Sequence, residues 1–158
     1  MIASKVRLDL DAPIIPNQSL GGLILGTPIS ELEDLVFGLG SWKDGTCTLI
    51  SPFEARYSFG KGEIEAAVDV RNGRIFKLSA KIGYRGKLFA QIRVGISVQQ
   101  ALELEPRLYY DEVEELILAA GLPGLSLDIP EIDPPIETVP GMNISGISVF
   151  VENSGNSR

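Results

Sequence analysis

The sequence contains no histidine, and Cys47 is the one cysteine among its 158 residues. Because histidine is absent, Ser-His-Asp and Cys-His catalysis and histidine-ligated zinc sites are excluded. A single cysteine forms no internal disulfide. Without an imidazole to activate it, Cys47 is expected to be a buried or half-buried packing residue. Acid–base chemistry would have to come from carboxylates, so the sequence favours a protein that is not an enzyme and predicts no cofactor and no metal site.

Long apolar runs are also missing. No segment approaches the roughly 20 apolar residues that cross a bilayer, and no signal-like apolar stretch follows the charges of Lys5 and Arg7. Together with the lone cysteine, this predicts a cytoplasmic protein with no membrane partner. Apolar residues nevertheless make up 44% of the chain, which is enough to build a globular core.

Charge is unevenly distributed along the chain. Residues 1–52 carry a net charge of −3, residues 53–93 of +5 and residues 94–158 of −9. This balance disfavours nucleic acid as a partner, and the acidic second half suits a basic protein. The cationic strip is interpreted as a solvated sheet face, or as a surface that associates with the acidic half of a second copy in a weak, salt-sensitive homodimer. It comprises Arg71, Arg74, Lys77, Lys81, Arg85 and Lys87.

Apolar periodicity predicts short strands and helices in alternation. An Asn72-Gly73 turn predicts a hairpin of residues 64–70 and 74–82, with Phe76, Leu78, Ala80 and Ile82 facing the core. Amphipathic spacing predicts a helix over residues 27–36, a second after the capping residue Ser97, and a third over residues 111–120.

An internal repeat relates residues 23–35 to residues 92–104 at an offset of 69. Each copy reads as a strand-like run, a glycine, a capping residue and an amphipathic helix, followed by strands. The sequence therefore predicts an α+β fold of two pseudo-repeated halves, each with short helices packed on an antiparallel β-sheet. The expected single domain spans residues 1–152, with half-repeats of about 1–83 and 84–152 and a flexible tail at 153–158.

The repeat resembles a known bacterial element. Residues 22–32, GLILGTPISEL, are similar to the pattern G-I-x-L-G-x-x-I-x-x-V/L, and residues 92–98 follow it in part. Such elements occur in proteins typified by β-lactamase inhibitory protein, and in immunity proteins that neutralise toxins of contact-dependent growth inhibition and related polymorphic toxin systems. Residues 144–151 are similar to the last strand of some immunity proteins. The resemblance implies an inhibitor role. Because the paired cysteines and export signal of the secreted inhibitors are missing, it implies a cytoplasmic immunity protein.

Acidic and aromatic side chains of the second half form the predicted toxin-binding surface. They are Glu103, Glu105, Tyr109, Tyr110, Asp111, Glu112 and Glu115 on a helical stretch, and Asp128, Glu131 and Asp133 beside a proline-rich loop. A basic toxin, such as a nuclease domain, presents cations meant for phosphate. An acidic surface would mimic that phosphate array and cover the cations.

Two other interpretations remain open at this stage. One is a small-ligand-binding protein or an enzyme that uses carboxylates in a cleft, which an apolar pocket with converging carboxylates would favour. The other is a structural module that forms a homodimer through sheet edges or charged strips, which a large self-complementary interface would favour.

Overall fold

The computed structural model describes residues 6–32 and 46–151. The predicted tail at 153–158 and the part of the first predicted helix after Leu32 lie outside these residues.

Ten β-strands and one α-helix make up the regular structure of the described residues. The strands are β1 (Ser19–Leu20), β2 (Leu23–Ile24), β3 (Thr46–Ser51), β4 (Glu54–Phe59), β5 (Ile64–Asp69), β6 (Arg74–Ala80), β7 (Leu108–Asp111), β8 (Leu116–Ala119), β9 (Leu125–Asp128) and β10 (Gly146–Phe150). The α-helix, α1, is Val98–Leu104, and two 3₁₀-helices cover Ile29–Leu32 and Ile136–Gly141.

One antiparallel sheet of eight strands dominates the molecule. Its order is β3-β4-β5-β6-β10-β9-β8-β7, and β1 and β2 form a separate two-stranded sheet. The predicted α+β fold of two halves, each with helices on its own sheet, is therefore wrong. The chain is mostly β-structure, with one continuous sheet and one α-helix among the described residues. Short apolar runs fit strands as well as helices, and periodicity alone does not separate the two.

The two four-stranded meanders of this sheet join at β6 and β10. Ser79 lies opposite Ser148, and their hydroxyl oxygens are 2.7 Å apart in a buried hydrogen bond. The two serines are themselves 69 residues apart. Leu78 pairs with Val149 and Ala80 with Ile147, so the pairing is symmetric about the serines. A local pseudo-twofold axis therefore passes between Ser79 and Ser148.

The same offset of 69 also relates backbone hydrogen bonds other than those between β6 and β10. The first repeat element contacts the start of β6, and the second contacts the residues just before β10. Each makes three hydrogen bonds, and the two sets correspond. The Gly26 N–H donates to the Ile75 carbonyl, as the Gly95 N–H does to the Ile144 carbonyl. The Ile75 N–H donates to the Thr27 carbonyl, as the Ile144 N–H does to the Ile96 carbonyl. The Ile29 N–H donates to the Gly73 carbonyl, as the Val98 N–H does to the Met142 carbonyl. Each repeat element is therefore held against the same eight-stranded sheet by backbone hydrogen bonds.

The helix predicted after Ser97 is confirmed. The Ser97 side chain accepts a hydrogen bond from the backbone N–H of Gln100 at 3.1 Å, and α1 begins at the next residue, Val98. The corresponding element in the first repeat, over the described residues, is one 3₁₀ turn at Ile29–Leu32. The helix predicted over residues 111–120 is wrong, because β7 ends at Asp111, residues 112–115 form a turn and β8 follows.

The hairpin predicted around Asn72-Gly73 is confirmed as β5 and β6, but part of its facing pattern is wrong. The register shifts between Ala67 and Val68, so an extra residue enters β6 at Phe76. Because of this bulge, Ile75 is buried although the alternation placed it outward. Ile82 lies beyond β6 and is 78% exposed, although the alternation placed it in the core.

The hydrophobic core lies on one face of the sheet. Alternate residues of the central strands supply it, and the N-terminal segment, α1 and the second 3₁₀-helix cover it. Tyr84 ties the N-terminal segment in place, because its buried hydroxyl accepts from the Gly21 N–H at 2.7 Å and donates to the Ala12 carbonyl at 2.5 Å. On the opposite face, Ser79, Ser126 and Ser148 are buried, and Ser148 lies opposite each of the other two in the sheet.

The serine pair provides a first test of the joint between the meanders. Ser79→Ala or Ser148→Ala alone leaves one buried hydroxyl without its partner, which costs about 1–3 kcal/mol of unfolding free energy. The double variant removes both hydroxyls, so we expect it to lose less than the sum of the single losses. Urea unfolding of the four proteins measures this coupling. Additive losses would show that the two hydroxyls do not interact.

Tyr84→Phe provides a second test. The substitution keeps the ring but leaves the Gly21 N–H and the Ala12 carbonyl without the hydroxyl, so we expect a loss of about 1–3 kcal/mol in unfolding free energy. Tyr109→Phe, at an exposed ring, is the matched control and should change stability by less than about 0.5 kcal/mol. Equal effects of the two substitutions would contradict the role assigned to Tyr84.

Candidate functional site

All charged residues of the second meander are acidic. Residues 108–150 contain eight Asp or Glu side chains and no Lys or Arg, whereas residues 46–80 contain four acidic and five basic side chains. The two meanders lie side by side in one sheet, so this difference separates charge across the molecule. The side of the sheet that ends at β7 therefore carries a negative field suited to a cationic partner.

The turn between β7 and β8 is ordered by one of its own carboxylates. Asp111 Oδ1 accepts hydrogen bonds from the backbone N–H groups of Val113 and Glu114, both at 3.0 Å. The Asp111 carbonyl accepts from the Glu115 N–H at 2.8 Å. Such a turn holds the intervening side chains outward, which places Glu112 and Val113 at its exposed apex.

A second loop packs against this turn. Glu115 Oε1 accepts a hydrogen bond from the backbone N–H of Asp133 at 2.5 Å. Both residues have left-handed backbone conformations, with φ of 57° and 48°. This contact joins two segments of the chain into one acidic surface, which we call the acidic tip. It comprises residues 111–115 and 131–133.

Four carboxylates of the acidic tip act on the hydroxyl of Tyr110. Its pKa is raised, first by desolvation and then by the charges of Glu115, Asp133, Glu112 and Asp111. The hydrogen bonds of Asp111 within the turn and the Glu115–Asp133 contact place these carboxylates in the same part of the surface as Tyr110. The structure thus brings together five of the ten residues predicted to bind a toxin. A sixth, Glu131, lies in the same loop as Asp133.

Apolar side chains project from the acidic tip. Val113 is 89% exposed and Ile132 is 90% exposed, and each lies between acidic neighbours in sequence. Single exposed aliphatic side chains are common on protein surfaces, but these two belong to the same acidic tip, where one partner would cover both. Neither residue was predicted from the sequence. The period assumed for residues 111–120 placed Val113 on a buried helix face.

The remaining predicted residues lie elsewhere. Glu103 is exposed on α1, and Glu105 follows that helix and binds Arg107, whose guanidinium lowers the pKa of the Glu105 carboxyl. Tyr109 points to the face of β7 opposite Tyr110, as successive strand residues do. Asp128 lies on β9 with its carboxylate 3.8 Å from the ammonium of Lys81.

Tyr109 lines a shallow groove of about 370 Å³. Its lining residues are Tyr109, Leu118, Ala119, Gly121, Leu122, Pro123, Gly124, Leu125 and Phe150. The volume falls in the range of ligand pockets, but no carboxylate belongs to this lining. The groove therefore does not supply the converging acids that a carboxylate enzyme requires.

The cationic strip is partly neutralised by local partners. Arg71 binds Asp69 and stacks on the Phe53 ring, and Arg85 binds Asp11.

Within residues 6–32 and 46–151, no group of three or more Cys, Asp or Glu side chains is arranged to hold a metal ion. No helix in the same residues is long and apolar enough to cross a membrane. Cys47, expected to be buried or half-buried, is exposed on β3.

The fold belongs to the class of predominantly antiparallel sheet proteins built by joining two meanders. It is similar to the crystal structure of the uncharacterized protein yfeY from Escherichia coli, with a TM-score of 0.58 and 14% sequence identity. The similarity covers 86% of this chain and 98% of that one, and it concerns the fold alone. No protein-family model and no curated protein matches the sequence.

Asp128 provides a test of the electrostatics at the acidic side of the sheet. Burial raises the pKa of Asp128 more than Lys81 and Lys77 lower it. A carboxyl whose folded pKa is raised stabilises the fold below its unfolded pKa, and this contribution is lost as pH rises through the folded pKa. Asp128→Asn should therefore gain stability relative to the wild type as pH increases from about 3 to 7, measured by urea unfolding.

Asp69→Asn is the control with the opposite sign. The Arg71 hydrogen bonds lower the pKa of Asp69, so its contribution is present above the unfolded pKa and is lost as pH falls. The Asn variant should lose stability relative to the wild type as pH increases over the same window. The same pH trend in both variants would contradict the assignment for Asp128.

Proposed function

We propose that this protein binds a basic protein through the acidic tip, and that it acts by covering the partner's surface. The observation that carries the proposal is the Glu115–Asp133 contact, which fixes two loops into one surface. That surface combines carboxylates from both loops with two almost fully exposed aliphatic side chains, Val113 and Ile132.

Electrostatics and packing would contribute differently to binding. The uninterrupted acidic charge of residues 108–150 attracts a cationic partner and raises the association rate. Val113 and Ile132 would then enter apolar recesses of the partner, which slows dissociation. Because the turn at residues 112–115 is already held by Asp111, little conformational entropy is lost on binding.

A toxin is the specific partner that we propose. Neutralisation of a cationic effector domain, such as a nuclease, in the cytoplasm would use this surface as a substitute for nucleic acid phosphate. Support for this narrower function comes from the sequence resemblance to immunity proteins and from the charge of the acidic tip.

The experiment uses the products of the two reading frames that flank this gene. Each is expressed, and its binding to the full chain is measured by calorimetry for stoichiometry and affinity and by surface plasmon resonance for rates. One of them should bind in a 1:1 complex whose association rate falls with salt. Glu112→Lys and Val113→Ser should each weaken binding by roughly tenfold, the first through a lower association rate and the second through a higher dissociation rate.

Two matched variants control for general effects. Glu31→Lys changes net charge equally at an exposed site on the first 3₁₀-helix, and Ile82→Ser removes an equally exposed aliphatic side chain. Both should bind like the wild type. Equal weakening by Glu31→Lys and Glu112→Lys would eliminate the acidic tip as the interface. Failure of both flanking products to bind would contradict the toxin proposal.

A further inference from the structure

Strand β3 forms one edge of the eight-stranded sheet. It pairs with β4, and within the described residues no other strand pairs with it. An edge strand leaves alternate backbone N–H and C=O groups available for pairing with another strand. Proteins usually protect such edges with charged residues, prolines, β-bulges or very short strands, because unprotected edges associate.

The two edges of the sheet differ in this protection. The β3 sequence, TCTLIS, contains no charged residue and no proline over six residues, and a bulge near its end interrupts the pairing with β4 between Leu49 and Ser51. The opposite edge strand, β7, is four residues long, follows Pro106 and Arg107, and ends at Asp111. The part of β3 before the bulge, residues 46–49, is therefore the less protected edge segment and is suited to pairing.

Apolar side chains are exposed along this edge. Leu49 is 67% exposed and Ile50 is 46% exposed. The register of β3 against β4 shifts between Leu49 and Ser51, so Ile50 lies in a bulge and residues 46–49 are the regular part of the edge. An added strand that pairs with this part would cover Leu49 while it completed the backbone hydrogen bonds.

We propose that β3 pairs antiparallel with β3 of a second copy of this chain, across a twofold axis, to join the two sheets into one. An uncharged strand paired with itself places no like charges opposite each other. The contact is isologous, so the same residues serve both subunits and the assembly closes as a dimer.

The charge distribution favours a second copy in this arrangement. Residues 46–80 carry five basic and four acidic side chains, so the meanders that meet are close to neutral. The acidic second meanders, residues 108–150, lie on the far side of each sheet from β3. Dimerisation through β3 therefore avoids the repulsion expected between two chains of net charge −7.

The same kind of pairing already exists within one chain. Equivalent strands β6 and β10 pair antiparallel about the local axis between Ser79 and Ser148. A β3–β3 contact would repeat this geometry between chains, at the outer end of the same meander.

Sedimentation velocity of the full chain, from about 1 µM to about 1 mM, tests the dimer across the range of weak to moderate affinities. The wild type should shift from monomer to dimer with concentration. Leu49→Lys and Ile50→Lys place a charge at the pairing edge and should weaken the dimer at least tenfold. Ile82→Lys, which adds the same charge at an exposed site outside the strands, should dimerise like the wild type. Unchanged circular dichroism would show that each variant is folded.

Hydrogen exchange locates the contact independently. Amides of Thr46–Ser51 should become more protected as the wild-type concentration rises, and those of Leu108–Asp111 should not. A wild type that stays monomeric throughout, or a dimer that persists in both edge variants, would overturn the proposal. These outcomes do not bear on the binding function proposed for the acidic tip, because its test uses other residues and a different partner.

Discussion

The antiparallel pairing of β6 with β10 holds the two halves of this sheet together. Four registered pairs connect the meanders, and the Ser79–Ser148 hydrogen bond lies at their centre. Both serines are buried on the outer face of the sheet. A polar contact in this position favours one register, since a slip by one residue would separate the two hydroxyls.

Segregation of charge is the second consequence of this arrangement. The pseudo-twofold axis relates the backbones of the two meanders, but their surfaces have diverged. The first mixes cations with acids, and several of its cations are bound locally, as Arg71 is by Asp69. The second carries only carboxylates, and it gathers them where the β7–β8 turn meets the loop at Asp133. One fold thus offers two chemically different sides, an arrangement that allows each to have its own partner.

Local signals predicted the parts of the structure that depend on local chemistry. Asn72-Gly73 predicted the β5–β6 hairpin, and Ser97 predicted the start of α1, because turn and cap geometries restrict the residues they accept. The offset of 69 was visible in sequence and reappears in matched backbone hydrogen bonds. Residues 111–120 were misjudged, because a two-strand hairpin with an acidic turn has apolar spacing close to that of a short helix. The bulge at Phe76 has no sequence signal of its own and reversed the facing of Ile75.

The candidate site was predictable in its composition but not in its geometry. Acidic residues could be counted, and five of the ten predicted residues lie at the end of β7, in the β7–β8 turn and in the loop at Asp133 that contacts it. Their meeting depends on a contact between segments 18 residues apart, which sequence spacing does not encode.

Strand order also constrains how the sheet can be assembled during synthesis. β10 is the last described strand along the chain, yet it occupies the middle of the sheet between β6 and β9. Until the ribosome has released it, β6 and β9 are both open edges that bury little of their apolar surface. The nascent chain must therefore keep two incomplete sheets apart from each other and from neighbouring chains, and closure of the centre comes late.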